Sequence, residues 1–382
     1  MKLFQCQNCG SPLYFENTRC ESCGLALGYL PARETVSALK PDNSTQRTDQ
    51  PQVWIALADG AKYRYCANIA YGVCNWLVPS ARTEPFCVAC RHNQMVPDLS
   101  LSVNVDRWRA LENAKHRLFY TLLQLRLPVE TKAESPNGLA FQFLADVVPA
   151  GAPVFTGHAD GVITINLAEA DDAERERRRH QMGELYRTPL GHFRHEIGHY
   201  YWDRLIANTP QLAEFRRLFG DERQDYDNAL RNYYATGAPP DWSDRFISAY
   251  ASAHPWEDFA ETWAHYFHMI DTLETAHVAG LAVSPKLPQS PGAVFDFHPR
   301  DSDMKHLIEA WLALTFAVNS INRSMGQHDL YPFVLGTLAV EKLTFVQELI
   351  RAVAPPASSN QGGRGAGAVR RTLRRLRLVT TQ

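Results

Sequence analysis

The stretch GHFRHEIGHYY, residues 191 to 201, places His195 and His199 four residues apart with Glu196 between them. Residues four apart on a helix project from one face, one turn apart, which is the spacing at which two imidazoles can bind one zinc ion. Glu196 lies about 100 degrees round such a helix, where its carboxylate can reach a water on the metal without binding the metal. The three residues predict metal-assisted hydrolysis, with Glu196 as the proton acceptor. By themselves they leave open the alternative of a chance match on an amphipathic helix.

The third metal ligand must come from elsewhere in the chain. A histidine ligand further along the same stretch would need Gly at 202 and His at 205, but the sequence has Trp202 and Leu205, which excludes that class. The segment HPWEDFAET carries Glu257 and Glu261 one turn apart. One can bind zinc while the other accepts the second ring N–H of a ligand histidine, and the spacing leaves open which does which.

The other histidines near these motifs fit the metal less well. Three imidazoles cannot easily converge on one ion from seven residues of straight helix, so we interpret His192 as a bystander. Asp203, one turn beyond His199, is expected to support the site or to anchor the helix end. Hydrogen-bonded or surface roles are expected for the remaining nearby histidines, His254, His265 and His268.

All eight cysteines lie within the first 90 residues and form two groups. The first group, from CQNC and CESC, is Cys6, Cys9, Cys20 and Cys23. The second group, with one tight pair in CVAC, is Cys66, Cys74, Cys87 and Cys90. Two tight Cys-x-x-Cys turns supply the tetrahedral sulfur shell of structural zinc. We predict two structural zinc sites; the alternatives are disulfides for the first group, and buried free thiols or a redox pair for the second.

The zinc sites have consequences for folding and partners. A ribbon of some 20 residues has too little core to fold alone, so a chelator should unfold it. Between the paired cysteines of the first group the charged residues are Arg19, Glu16 and Glu21, and no basic face is evident. We therefore expect the ribbon to bind a protein partner or to brace the fold.

Local signals predict the elements that position the site. Thr188 is a good N-cap and Pro189 suits the first helical position, while Pro210 follows the predicted helix end. Pro255 marks the start of the glutamate helix. Apolar residues recur at helical spacing in NVDRWRALENAKHRLFYTLLQL, and DDAERERRRHQMGELY predicts a charged helix. AFQFLADV and GVITINLAEA predict a small antiparallel sheet over the active-site helix.

The expected domain order is a zinc ribbon at 1–30, a linker with the second cysteine group at 31–100, a main domain at 101–352 and a flexible Arg-rich tail at 353–382. Residues 31–52 are polar with three prolines and favour a linker or an irregular wrap. The fold class is α+β and mostly helical.

Composition limits the partners. The chain is 45% hydrophobic and 21% charged, as in globular proteins. Its net charge is −2, and the remainder stands at −8 without six tail arginines: Arg364, Arg370, Arg371, Arg374, Arg375 and Arg377. An acidic body makes nucleic-acid binding improbable except through this tail. Neither a secretory signal nor a transmembrane run is recognisable, so a cytoplasmic location is expected.

On these motifs the sequence resembles the gluzincin metallopeptidases, above all those that carry an N-terminal zinc ribbon. The likeness covers the cysteine-rich front, GHFRHEIGHYYWDRL, HPWEDFAETWAHYFHM and NSINRSMGQHDLYPFVL. The segment EDFAET is also similar to the corresponding helices of anthrax lethal factor and the Mlc titration factor peptidases. The resemblance implies a zincin-like fold, Glu257 as third zinc ligand, Glu261 as its supporting acid, and Tyr250 as the group that stabilises the oxyanion.

The function expected from residues and resemblance together is zinc-dependent peptide hydrolysis, with one catalytic and two structural zinc ions. A loop containing Arg323 and Tyr331 could bind substrate, or could be a structural turn with a buried ion pair. Two alternatives remain open. One is a SprT-like protease that acts on nucleic-acid-bound proteins, and the other is a non-catalytic, zinc-stabilised scaffold that binds proteins.

Overall fold

The computed structural model describes residues 2–45, 51–146, 154–181, 186–287 and 292–353. The strands are β1 (Phe4–Gln5), β2 (Pro12–Leu13), β3 (Ala26–Leu30), β4 (Thr35–Pro41), β5 (Trp54–Ala56), β6 (Lys62–Tyr65), β7 (Leu77–Pro79), β8 (Asn93–Met95), β9 (Ala140–Leu144), β10 (Gly157–Ala159), β11 (Val162–Asn166), β12 (Ala282–Val283) and β13 (Ala293–Val294). The helices are α1 (Ser102–Gln124), α2 (Asp172–Gln181), α3 (Pro189–Leu205), α4 (Leu212–Phe219), α5 (Tyr226–Thr236), α6 (Trp242–Arg245), α7 (Pro255–Val278), α8 (Met304–Ser324) and α9 (Thr337–Val353). The α+β, mostly helical fold class is confirmed. The Arg-rich tail lies outside the described residues.

The cysteine-rich front is a small hairpin followed by a five-stranded antiparallel sheet. β1 pairs with β2, and β3 to β7 follow one another in sequence order. A further bridge between Tyr29 and Trp76 brings the first and last strands of this sheet together. The expectation of a linker at 31–52 is wrong over β4, whose Val36, Ala38 and Leu39 are fully buried. Flanking polar residues and prolines concealed this short apolar run.

The main domain contains a mixed sheet of four strands in the order β10, β11, β9, β8. The expectation that β9 and β11 are antiparallel neighbours is wrong: Phe141 pairs with Ile163 in parallel register. A tight turn at Asp160 and Gly161, both with positive φ, instead joins β10 to β11 as a hairpin. β9 pairs along the other edge of β11, and its far edge pairs with β8 from the cysteine-rich front.

The two predicted site helices, α3 and α7, pack directly on one another. Thr188 caps α3 by accepting a hydrogen bond from the Gly191 N–H, and Pro189 takes the first helical position. Gly198 makes the close approach possible, because a Cβ at this position would lie 2.9 Å from Ala260 Cα. Where the helices cross, no side chain larger than the hydrogen of glycine fits. The close crossing brings the polar side chains of the two helices together on either side of it.

The front and the main domain share one hydrophobic core. Phe15 packs edge-on against Tyr29 at 4.7 Å and against Tyr120 of α1 at 5.6 Å between ring centroids. Trp76 packs on the same group.

Within the part of the chain that the structure describes, no helix is long and apolar enough to cross a membrane.

Candidate metal centre

Three side chains from the two packed helices converge on one point. His195 and His199 project from α3, and Glu257 projects from the first turn of α7. The Nε2 atoms of the two histidines are 3.2 Å apart. Glu257 Oε2 lies 3.0 Å from His195 Nε2, and Oε1 lies 3.5 Å from His199 Nε2. Two imidazole nitrogens and a carboxylate are a donor set that zinc takes in hydrolytic enzymes.

The environment of these groups suits a cation. Glu257 is buried, and an ionised carboxylate at such a position is costly unless positive charge lies beside it. Burial acts to raise the pKa of Glu257, but the two histidines hold it well below its usual value. Burial acts to lower the pKa of His195, and its hydrogen bonds to Glu257 and Glu261 raise it well above the usual range. The carboxylates thus favour a positive charge here, which a zinc ion would supply.

Glu261 lies on the opposite side of His195 from Glu257. Its Oε1 is 2.7 Å from His195 Nδ1, and Ser248 donates a hydrogen bond of 2.6 Å to its Oε2. The Ser248 hydroxyl in turn accepts from the Ala251 N–H. This arrangement keeps the proton of His195 on Nδ1 and leaves Nε2 free to bind a metal, which is how supporting acids orient ligand histidines.

Glu196 is buried at the same place on α3, with 8% of its surface exposed. Burial is the main reason that its pKa is raised above the usual value. A carboxylate with a raised pKa is a better proton acceptor near neutral pH than an exposed one. The structure therefore places Glu196 in an environment suited to proton transfer.

Two tyrosines lie against the three candidate metal ligands. The ring of Tyr250 is 6.0 Å from the ring of His195, and burial raises its pKa well above the usual value. The Tyr226 hydroxyl donates a hydrogen bond of 2.6 Å to Glu257 Oε1. Sequence reasoning missed Tyr226, because it stands on α5 in a segment without a motif.

His158 is a second residue that sequence reasoning missed. It stands on the edge strand β10, and its ring lies parallel to the His199 ring at 6.5 Å. Its Nε2 accepts a hydrogen bond from the Gly161 N–H, so the proton is on Nδ1, which is 4.0 Å from Asp203 Oδ2. The half-exposed Asp203 therefore lies beside His158 as well as one turn beyond His199.

The other predicted histidines have structural partners. His192 Nδ1 lies 3.3 Å from Glu169 Oε2 and away from the three ligands. His254 caps α7, because its Nδ1 accepts a hydrogen bond from the Trp256 N–H. The remaining pair, His265 and His268, have their Nδ1 atoms at the Tyr331 hydroxyl and the Arg194 guanidinium respectively.

The predicted substrate-binding loop separates into two unlike parts. Arg323 is exposed and forms a two-pronged ion pair with Asp329, with N–O distances of 2.6 and 2.7 Å. The alternative of a buried ion pair is therefore wrong. Tyr331 is buried, and its hydroxyl contacts His265 one turn beyond Glu261. Of these two residues, it is Tyr331 that contacts α7, the helix that carries Glu257.

Each cysteine group forms a cluster whose sulfur atoms could hold one metal ion. In the first cluster Cys6 lies 3.7 Å from Cys23, and Cys9 lies 3.6 Å from Cys20. In the second cluster Cys74 lies 3.8 Å from Cys87. His116 of α1 enters the second cluster, with its Nε2 3.4 Å from Cys74 Sγ and 3.6 Å from Cys90 Sγ. No spacing in the sequence indicated that a helix of the main domain reaches these thiols.

Comparisons with known proteins agree with this geometry. The profile of the family described as "Putative zinc-binding metallo-peptidase" matches residues 104–349, and a zinc-ribbon domain profile matches residues 3–101. Uncharacterised proteins of Mycobacterium bovis and of two strains of Mycobacterium tuberculosis are 42% identical over 368 residues, covering 94% of this chain and 99% of each relative. No solved structure shows a significant match.

Proposed function

Because the chain belongs to this family of zinc-binding metallo-peptidases, we propose that it is a zinc-dependent peptidase whose centre is His195, His199 and Glu257. The observation that supports this most strongly is the convergence of these three groups, with Glu261 holding His195 in the ligand tautomer. A zinc ion bound there would polarise the peptide carbonyl and acidify a water molecule. Its substrate would be a peptide or a protein.

Glu196 is assigned the proton transfers. It accepts the proton of the attacking water and delivers it to the amine that leaves when the peptide bond breaks. Its burial supports this role, because burial raises the pKa of Glu196 and a raised pKa makes the carboxylate a stronger proton acceptor. His195 and His199 stay in place during these transfers because α3 is locked against α7 at Gly198.

The two tyrosines are assigned different tasks. Tyr226 positions Glu257 through its hydrogen bond to Oε1. Tyr250, buried against His195, is the donor that stabilises the negative charge developing on the carbonyl oxygen. Removing such a donor costs roughly 100- to 1000-fold in kcat. The corresponding variant, Tyr250→Phe, should retain the metal.

The experiment compares zinc content and peptide cleavage for the wild type and Glu196→Gln, using a diverse library of fluorogenic peptides. We expect both proteins to bind one zinc in the main domain and only the wild type to cleave. A wild type that binds this zinc but cleaves no peptide would exclude the peptidase and favour the protein-binding scaffold.

A matched pair of variants tests the assignment of the acids. Glu257→Ala should lose the zinc of the main domain, because it removes a ligand. Glu261→Ala should weaken zinc binding by roughly 10- to 100-fold, as loss of a histidine-orienting partner does. Metal affinity is measured by competition with a chromophoric chelator, and the reverse ranking would exchange the two roles.

A further inference from the structure

A cavity of about 110 Å³ lies between α7, α8 and the loop that precedes α9. Its walls include Trp311, Leu314 and Val318 of α8, and Phe333 of the loop. Leu330, which also lines it, is 51% exposed, so the cavity opens towards solvent at this side. The walls are predominantly apolar and leave a space that a hydrocarbon side chain could occupy.

One wall of the cavity belongs to α7, the helix that carries Glu257. His265 lines it and stands one turn after Glu261 on α7, and therefore about 12 Å along the helix from Glu257. The His265 Nδ1 and the Tyr331 hydroxyl form a hydrogen bond of 2.6 Å with one another, so this pair does not need a hydrogen bond from a ligand. The cavity thus lies further along the helix that carries Glu257, and the contact surface that it offers is largely hydrocarbon.

The distance matches the reach of a bound peptide. An extended chain advances about 3.3 Å per residue, so the second residue from the cleaved bond lies about 7 Å from it. A large side chain extends several ångströms further, so its reach is comparable with the distance of about 12 Å between Glu257 and His265 along α7. The volume of the cavity also limits which side chains fit. A cavity of about 150 Å³ accommodates benzene, and this cavity is smaller.

We propose that this cavity is a specificity pocket that takes a branched or unbranched aliphatic side chain (Leu, Ile, Val or Met) of the peptide substrate. The assignment rests on the proposed peptidase function and names its substrate class. A peptide with such a residue within about two positions of the cleaved bond is preferred over one with alanine or a charged residue there. Peptides with a large aromatic residue at that position are disfavoured by the volume.

The test measures binding without turnover. Zinc-loaded, full-length Glu196→Gln protein is titrated calorimetrically with peptide hydroxamates that carry leucine or alanine at one of three successive positions. Burying the three extra carbons of leucine should tighten binding roughly 10- to 100-fold at one of these positions. Equal affinities at all three positions, or no binding of any probe, would overturn the pocket.

Two variants of α8 and a matched control locate the effect. Val318→Phe fills the cavity and should abolish most of the leucine preference while the alanine probe binds as before. Ile321→Phe makes a comparable change at a 61% exposed position of the same helix and should leave the preference intact. Should Val318→Phe fail to fold, Leu314→Ala enlarges the cavity instead and should shift the preference from leucine to phenylalanine.

The outcomes separate the pocket from the peptidase. A leucine preference that Val318→Phe does not change would place the aliphatic site elsewhere and refute the assignment. Retention of the preference in a protein whose wild type cleaves no peptide would refute the peptidase, and the pocket would stand as a peptide-binding site.

Discussion

Each of the two cysteine clusters offers four thiols to a metal, but the two clusters lie in different surroundings. In the first cluster Cys6 and Cys20 are buried but Cys9 is exposed, and the Cys9 sulfur contacts Cys20 and Ser11. In the second cluster all four cysteines are buried, and α1 of the main domain packs directly on them. The first cluster is built from residues 6 to 23 alone, whereas the second is also contacted by a helix of the main domain.

The charged groups around the two clusters also differ. Four thiolates around one divalent cation carry a net charge of about −2, which is costly to bury without compensation. Beside the second cluster, Lys115 is fully buried and pairs with Glu112 at 2.8 Å. Burial acts to lower the pKa of Lys115, but Glu112 raises it, so the lysine stays charged. α1 thus places a buried ion pair beside the second cluster, whereas the exposed Cys9 leaves the first cluster partly open to solvent.

The largest difference is expected on removing one thiol from each cluster. Cys87→Ala should lose one zinc and the cooperative folding of the whole body, since structural zinc contributes roughly 10 kcal/mol or more. Cys9→Ala should also lose one zinc but retain the main unfolding transition. Zinc content and circular-dichroism melting measure both, and equal loss of the main transition would contradict the comparison.

The next largest effect on stability is expected at the buried ion pair of Lys115 and Glu112. Lys115→Met leaves Glu112 as an uncompensated buried charge and should lower the free energy of unfolding by about 3–5 kcal/mol. The double variant Lys115→Met with Glu112→Gln should recover most of this loss. Denaturant titration measures both proteins. An unchanged stability of the single variant would show that the buried Glu112 does not depend on Lys115.

The histidine contact should affect metal affinity more than stability. His116→Ala should weaken zinc binding at the second cluster by roughly 10- to 100-fold, because its ring contacts two of the thiols. Ser11→Ala is the matched change at the first cluster, where the hydroxyl lies 3.4 Å from Cys9 Sγ and water can replace it. Chelator competition should show a clear loss in the former and little change in the latter.

The smallest effect is expected where the first cluster's hairpin meets α1 at the surface. Arg117 Nε lies 2.7 Å from Glu16 Oε1, and both side chains are partly exposed. Such surface pairs contribute about 0–1 kcal/mol, so Arg117→Ala should change the free energy of unfolding by no more than this. A loss of several kcal/mol would mean that the hairpin is also bound tightly into the body.

Short-range patterns in the sequence predicted a good part of this molecule. The start of α3 at Thr188 and Pro189, the start of α7 at Pro255 and the grouping of the first four cysteines follow from spacing and capping. They could be predicted because each depends on residues that are close along the chain, where helix and turn geometry set the direction of every side chain.

Contacts between distant segments could not be predicted in this way. The parallel pairing of β9 and β11, the burial of β4, and the arrival of Tyr226 and His158 at the metal ligands depend on which apolar faces pack together. The sequence showed that Glu257 and Glu261 share a face, but only packing of α7 on α3 placed them on opposite sides of His195.

The sequence by itself thus determined the chemistry on offer: the histidine pair with its acid, the paired glutamates and the two sets of thiols. The tertiary structure decided which of these groups meet, and it added His116 and Tyr226 from helices without a motif. The physical reason is that a side chain's direction is set by its own element, whereas its partner is set by the core that holds two elements together.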